Sequence, residues 1–388
     1  MRALLIAHNV YSEPTNGAAR SVRTMMEWLA AAGHQCHAVG TGRFEQSPVA
    51  TIAGHHDALP VPVTRVPGPR DLVRYRLNGV QITAVESEHA TRVSEDVTGT
   101  ELFSGQIDLA LQAQPELVLA YGSHPAVHAG LAAARAQGAR TVFTVRGWGY
   151  DDPAFYAHAD RVLFNSSTAA QHYARTACVQ GDWLPSPLVW ADIVAPEDTR
   201  GFVTFVNPSP HKGLALFARL ADMLGRRRPD IPILIVQTGR EAAALATIPG
   251  LDLARHPQIL VSPPLPTPRD IYALTRILLV PSVFAEPFGR VAAEALINGI
   301  PPIVSDRGAL PETVGDGGIT LPLPAWLTPF TTAIPTQAET QPWFDAVTRL
   351  WDDPEYEAGA IARARRAGAR LYNEASLRRR TVEYLTKP

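Results

Sequence analysis

Ala285-Glu286-Pro287-Phe288-Gly289-Arg290-Val291-Ala292-Ala293-Glu294-Ala295-Leu296, continuing to Asn298-Gly299-Ile300-Pro301, is the stretch that decides the fold. It follows the apolar run Ile277–Val280, passes through a Pro/Gly turn, and enters a helical pattern that Gly299 closes. A strand, a tight turn and a helix in that order aim the first N–H groups of the helix at the C-terminal edge of a parallel sheet. Those donors have no intrahelical acceptor and sit at the positive end of the helix dipole, so an anion is favoured there. Glu286 stands before the turn and Glu294 about two turns into the helix. Carboxylates accept hydrogen bonds from vicinal hydroxyls, so two of them flanking an anion site can hold a ribose and a hexose on either side of a diphosphate. The competing reading makes Glu286 a helix cap and Glu294 a solvated helix residue.

The same alternation extends in both directions. Ala3–Ala7 predicts a strand, and Val22, Met25, Met26 and Leu29 give the next helix an apolar face. Cys36–Val39, Leu117–Ala120, Thr141–Val145 and Arg161–Phe164 predict further strands, with a helix around Val127–Ala136. Residues 49–115 are less regular, apart from a hairpin near Arg74–Ile82 turning at Asn78-Gly79. Two prolines in Leu184-Pro185-Ser186-Pro187-Leu188 break the pattern. It restarts with strands Phe202–Val206, Ile233–Val236, Ile259–Val261, Ile277–Val280 and Pro302–Val304, and with a helix burying Phe217, Leu220, Ala221 and Leu224. Pro322–Thr336 is a Pro- and Thr-rich loop, and the chain from Trp343 to Leu385 is helical and rich in arginine. Strand–helix repetition on both sides of a break predicts two α/β domains, each a doubly wound parallel sheet. The boundaries expected are 1–185 and 186–370, with the last helix, about 371–388, packing back on the first domain.

A chain of 388 residues suits two domains of roughly 150–200 residues. Thirty-five basic against 37 acidic side chains give a net charge of −2, which excludes nucleic-acid binding through bulk charge. Cys36 and Cys178 form neither a disulfide framework nor a metal motif, so a reducing, cytoplasmic compartment is expected. Met1–Ala7 is too short an apolar run for a signal peptide, and nothing reaches the ~18 apolar residues of a membrane span. Arg363, Arg365, Arg366, Arg370 and Arg378–Arg380 could touch an anionic membrane surface, but a solvated helix face is the favoured reading because no exposed aromatic stripe accompanies them. No Asp-x-Asp triplet occurs, so no divalent metal and no other cofactor is expected.

Asn207-Pro208-Ser209-Pro210-His211-Lys212-Gly213 follows the strand Phe202–Val206 directly. A lysine at such a junction can neutralise a leaving diphosphate, which makes Asn207, Ser209 and Lys212 candidate donor contacts. His124, in Gly122-Ser123-His124-Pro125, follows another strand and is a weaker candidate, since a lone loop histidine is more often structural.

Glu286 and Glu294 with Phe288-Gly289 between them, then Ala295, Gly299, Pro301 and Ser305, resemble the Glu-x7-Glu signature of retaining family-4 glycosyltransferases with the GT-B fold. Gly308-Ala309-Leu310-Pro311-Glu312 resembles a loop of the same family, and the likeness is strongest from about Val203 to Gly318. The resemblance implies two Rossmann-like domains facing a cleft, and transfer of a sugar from a UDP- or GDP-sugar without a metal. It implies that Glu286 meets hydroxyls of the transferred sugar. The backbone of Phe288, Gly289, Arg290 and Val291 would meet sugar and diphosphate, and Glu294 would hold the ribose. It further implies retention by front-face attack, with the leaving phosphate taking the acceptor proton, because no side chain stands out as a nucleophile.

The chain departs from that family in three places. Asn207-Pro208 stands where Gly-Arg is common, so one cation is missing, and Arg290 is the preferred replacement over Arg146 and Arg20. Pro14-Thr15-Asn16-Gly17-Ala18 resembles the family's Gly-Gly turn but keeps only Gly17 for backbone approach to the donor phosphates. Arg146 stands where relatives place a histidine near the acceptor, and a guanidinium cannot act as a base at neutral pH. The acceptor, whether saccharide, lipid-linked or small molecule, is not readable. A nucleotide-sugar epimerase on the same fold and a non-catalytic nucleotide-sugar-binding protein are the alternatives.

Overall fold

A computed structural model describes residues 1–13, 16–42, 52–86, 96–197, 199–237, 251–331 and 333–387. The chain divides into two compact units, Met1–Pro187 with Ala375–Pro388, and Leu188–Glu374. The first unit runs β1 (Arg2–Ala7), α1 (Gly17–Ala31), β2 (Gln35–Thr41), α2 (Ile52–Asp57), β3 (Val63–Val66), β4 (Leu72–Leu77) and β5 (Val80–Val85). It continues with α3 (Val97–Leu111), β6 (Leu117–Tyr121), α4 (Pro125–Ala136), β7 (Arg140–Thr144), β8 (Arg161–Phe164), α5 (Ser167–Thr176) and β9 (Asp182–Trp183). The second unit holds β10 (Phe202–Val206), α6 (Leu214–Arg227), β11 (Ile233–Val236), β12 (Ile259–Ser262), α7 (Pro268–Leu274) and β13 (Thr275–Val280). It ends with α8 (Arg290–Ile297), β14 (Pro302–Ser305), α9 (Leu310–Val314), β15 (Ile319–Leu321), α10 (Gln337–Asp352) and α11 (Pro354–Leu371). The last helix, α12 (Glu374–Thr386), returns the chain to the first unit.

Both units are α/β, and each sheet is wound in two directions from its centre. The first sheet has the order β3-β4-β5-β2-β1-β6-β7-β8-β9, parallel except for the antiparallel pairs at β3, β4 and β5. The second has the order β12-β11-β10-β13-β14-β15 and is parallel throughout. The strands are short and rich in branched apolar residues because both faces are covered. On α1 the stripe Val22, Met25, Met26 and Leu29 is buried, and on α6 the stripe Phe217, Leu220, Ala221 and Leu224. Phe217 stacks on Phe205 of β10 with ring centroids 4.3 Å apart, which pins α6 to the centre of the second sheet.

Structure was found where the sequence reads as irregular. The hairpin at Asn78-Gly79 joins β4 to β5, but β5 also pairs with β2, so the hairpin extends the first sheet. His55-His56-Asp57, expected in an irregular stretch, lies in α2. Six residues are too few to show a helical period, and burial of the two histidines, not propensity, accounts for the helix. Ser12 Oγ lies 2.8 Å from His55 Nε2 and 3.2 Å from the Tyr75 hydroxyl. Part of residues 49–115 and the pair Pro14-Thr15 lie outside the described residues.

Two strands set the geometry of the second unit. β10, β11 and β12 progress to one side and β13, β14 and β15 to the other, so the chain changes direction between β10 and β13. In open α/β sheets the loops leaving the carboxyl ends of such a strand pair form the binding crevice. Here those loops are locked together. The His211 carbonyl accepts from the amides of Val283 and Phe284, both at 3.1 Å. Gly213, at φ +87°, lies so close that a Cβ there would meet the Pro281 carbonyl oxygen at 1.9 Å.

Gly213→Ala is therefore expected to cost more than about 2 kcal/mol, from the left-handed backbone and the backbone clash together. Urea unfolding within about 0.5 kcal/mol of wild type would show that the loops are not tightly docked. Burial, then the neighbouring His56 and Arg23, lower the His55 imidazole to about 4. The native state thus keeps His55 neutral, and its stability is intact above pH ~6.5 and declines as pH falls towards 4, by up to about 3 kcal/mol. Thermal melts across that window should show a shallower decline for His55→Gln than for wild type.

Candidate functional site

The loops at the β10/β13 switch point carry the residues singled out from the sequence. Lys212 ends the loop after β10, and its Nζ lies 2.5 Å from Glu286 Oε1. Glu286 sits in the loop after β13 with 7 % of its surface exposed. Ser282 Oγ is 2.9 Å from the same carboxylate oxygen and 3.1 Å from the His211 carbonyl. That carbonyl already accepts two amide protons, one for each lone pair, so the Ser282 proton is directed to Glu286. Ser305 Oγ, from the end of β14, donates to the Ser282 carbonyl at 2.6 Å. Three adjacent strands thus contribute to fixing one carboxylate.

A third loop closes on Glu286 from the other side. Gly308, at φ +62°, forms a parallel bridge to Glu286, and a Cβ there would fall 2.3 Å from the Glu286 carbonyl oxygen. The Ala309 amide donates to that oxygen at 2.7 Å. Glycine is required at this position for both conformation and clearance.

Gly289 caps α8 without offering a side-chain acceptor, and the Ala292 and Ala293 amides turn back to its carbonyl. The helix dipole and the first-turn N–H groups are thereby presented beside Glu286. Phe288 turns into the core at 4 % exposure, edge-on to Tyr372, and its carbonyl accepts from the Thr313 hydroxyl. Its side chain is structural. The Val291 carbonyl lies 3.3 Å from the Tyr272 hydroxyl.

Glu294 is 3 % exposed, which removes the alternative of a solvated helix residue. Its two oxygens are held from different sides, Oε1 by Arg290 Nη2 at 3.1 Å and Oε2 by the Tyr272 hydroxyl at 2.8 Å. Arg290, expected to replace the missing cation, is thus drawn against Glu294 one helical turn away. Asn207 adopts φ +63°, accepted more readily by asparagine than by most residues, and its Oδ1 is buried without a hydrogen-bond partner. The Ser209 amide donates to the Asn207 carbonyl at 2.7 Å, and the Lys212 amide to the Ser209 carbonyl at 3.0 Å.

In the first unit the switch point falls between β1 and β6. Gly17 opens α1, whose cap is Asn16 Oδ1, accepting from the Ala18 and Ala19 amides. His124 caps α4, its Nδ1 accepting from the Ala126 amide at 3.2 Å, so the neutral ring carries its proton on Nε2. It stacks on His8, which follows β1, with centroids 3.8 Å apart. Arg146 is 4 % exposed, with Nη2 3.5 Å from Met25 Sδ on the buried face of α1. It therefore lies deep beside α1, while His124 stays half-buried at the sheet edge.

Tyr272, Ser282, Ser305 and His8 were not read from the sequence as site residues. Ser282 and Ser305 could have been suspected, since both lie at or just past the ends of central strands. Tyr272 lies on a seven-residue helix, and nothing local marks its hydroxyl as directed at Glu294. Arg365, Arg366, Arg370 and Arg378–Arg380 lie on exposed helix surface. No helix among the described residues is long and apolar enough to cross a membrane.

Residues 191–365 match the family described as Glycosyl transferases group 1. A D-inositol 3-phosphate glycosyltransferase of Mycolicibacterium paratuberculosis is 26% identical over 259 residues, covering 59% of this chain and 55% of that protein. The chain therefore spans little more than half the length of that relative. Sucrose-phosphate synthase from Thermosynechococcus elongatus superposes with a TM-score of 0.71 at 17% identity, over 99% of this chain and 98% of its own. Anabaena HepE in complex with UDP-glucose superposes at 0.68 and 12% identity, over 99% of each chain. The whole described fold is theirs, and the second unit carries the family's sequence signature. Residues 191–365, within the second unit, thus match the group 1 glycosyltransferases, and the chain as a whole adopts the GT-B fold.

Proposed function

We propose that the protein transfers a glycosyl group from a UDP- or GDP-sugar to a hydroxyl acceptor, with retention and without a metal. The observation that carries the reading is the convergence of Lys212, Glu286 and the start of α8 at one switch point, with buried Glu294 about one turn along the helix. A diphosphate seated at the α8 N-terminus meets the helix dipole and the Lys212 ammonium. Ser282 and Lys212 both fall on Glu286 Oε1, which directs Oε2 towards hydroxyls of the transferred sugar. Glu294 accepts from the ribose hydroxyls. Arg290, one turn from Glu294, supplies the second cation in place of the arginine the family usually has. HepE is a protein of this fold whose structure holds UDP-glucose, which favours the same class of donor here.

In the proposed reaction the bond between the anomeric carbon and the diphosphate oxygen breaks, with both electrons leaving on the diphosphate. The acceptor oxygen forms its bond to that carbon on the same face, and its proton passes to a phosphate oxygen. Preorganised cations and amides stabilise the charge that develops on the leaving group. The acceptor would be held by the first unit, near Gly17 and His124, and would be a saccharide, a lipid-linked sugar or a small polar molecule. A compartment is proposed only as cytoplasmic, from the unpaired use of cysteine.

Lys212→Ala and Glu294→Ala are each expected to raise the dissociation constant of the nucleotide diphosphate at least about tenfold, the loss of one charge-assisted hydrogen bond. Titration calorimetry with unchanged affinity for both would remove the donor site from this edge. A proton NMR time course with UDP- and GDP-sugars and mixed hydroxyl acceptors should show a new glycosidic linkage with the donor's anomeric configuration. Conversion of the donor sugar without any acceptor would make the protein an epimerase instead.

A further inference from the structure

Glu294 can grip a ribose only if its carboxylate is held in one orientation, because fixing a free glutamate side chain on binding would cost its rotamer freedom. Its own helix supplies part of that restraint through Arg290, four residues earlier. The rest comes from outside the helix. Tyr272 on α7 is 1 % exposed, and its hydroxyl reaches Glu294 Oε2 at 2.8 Å. A tyrosine has two side-chain torsions and here a fully buried ring, so its hydroxyl is a fixed point in a way that the end of an arginine is not. The Val291 carbonyl, at 3.3 Å, is more distant from that hydroxyl than Glu294 Oε2, so the shorter, charge-assisted bond to Glu294 takes the proton.

We propose that Tyr272 is the positioning residue of the nucleotide site: it holds Glu294 Oε2 so that the carboxylate faces the ribose diol. This rests on the assignment of Glu294 to the ribose. Tyr272 itself meets no ligand. It acts through Glu294, occupying one lone pair of Oε2 as Arg290 occupies one of Oε1, and the lone pairs that remain are presented as a pair to two neighbouring hydroxyls. With the Tyr272 oxygen removed, Oε2 loses its buried donor. The carboxylate then rotates towards Arg290, whose flexible end does not fix it, and the diol meets a misaligned acceptor.

The test compares UDP and GDP with their 2′,3′-dideoxy counterparts by titration calorimetry, against wild type, Tyr272→Phe and Glu294→Gln. Wild type should prefer the ribonucleotide about tenfold, and Glu294→Gln should lose that preference. Tyr272→Phe should reduce it to about twofold, with the affinity for the dideoxynucleotide unmoved and the donor KM raised while kcat holds. A structural role alone would weaken both nucleotides equally or lower only the melting temperature, and either result overturns the proposal. A full preference retained in Tyr272→Phe but lost in Glu294→Gln overturns Tyr272 alone. A full preference retained in both variants removes Glu294 from the ribose, and the role of Tyr272 with it.

Discussion

The His211 carbonyl oxygen, with the Val283 and Phe284 amides on its two lone pairs, is the constraint on which the second unit's chemistry depends. It ties the loop leaving β10 to the loop leaving β13 across the one position where the sheet reverses its winding. Each loop alone would have the freedom of any surface turn. Joined, and pressed together at Gly213 and Pro281, they hold an ammonium and a carboxylate at contact distance. The single proton of Ser282 completes the arrangement because the carbonyl it would otherwise bond is full.

Charge is distributed over this edge in balanced pairs. Lys212 is matched by Glu286 and Arg290 by Glu294, so the edge is not a bare positive field before anything binds. An isolated buried acid would be costly, and each acid here has a cation and a hydroxyl beside it. The cations can therefore be shared with an incoming anion while each acid keeps its hydroxyl partner, Ser282 for Glu286 and Tyr272 for Glu294. Buried neutral hydroxyls on rigid elements make that exchange compatible with a fixed carboxylate geometry.

Much of this was legible in the residues. The strand run Ile277–Val280, the Pro/Gly turn and the spacing of Glu286 and Glu294 are local patterns, and they placed two acids and a helix start at a sheet edge. Lys212-Gly213 after β10 was equally local. Tyr272 was not legible, since its meaning depends on a contact over 22 residues made by tertiary packing, whereas Ser282 showed only as a residue just past a central strand. The first unit was harder. Arg146 follows a strand as a site residue would, yet its side chain lies beside α1, and no sequence period reports which way a loop side chain turns. His124 reads as a loop histidine, and its capping of α4 needs only Pro125 and the helix beyond it to be recognised.

The first unit is not continuous along the chain, and this has a consequence for biogenesis. Leu377, Thr381, Tyr384 and Leu385 of α12 are buried in it, Arg161 lies 3.7 Å over the Tyr384 ring, and Arg140 donates to the carbonyls of Leu385 and Lys387. When the ribosome has made the first 187 residues, the final helix of their core has not been synthesised. The second unit, contiguous from Leu188 to Glu374, can finish folding while its predecessor is still waiting. Translation thus reverses the order in which the two units can reach completion, and the codons for α12 seal the first one made.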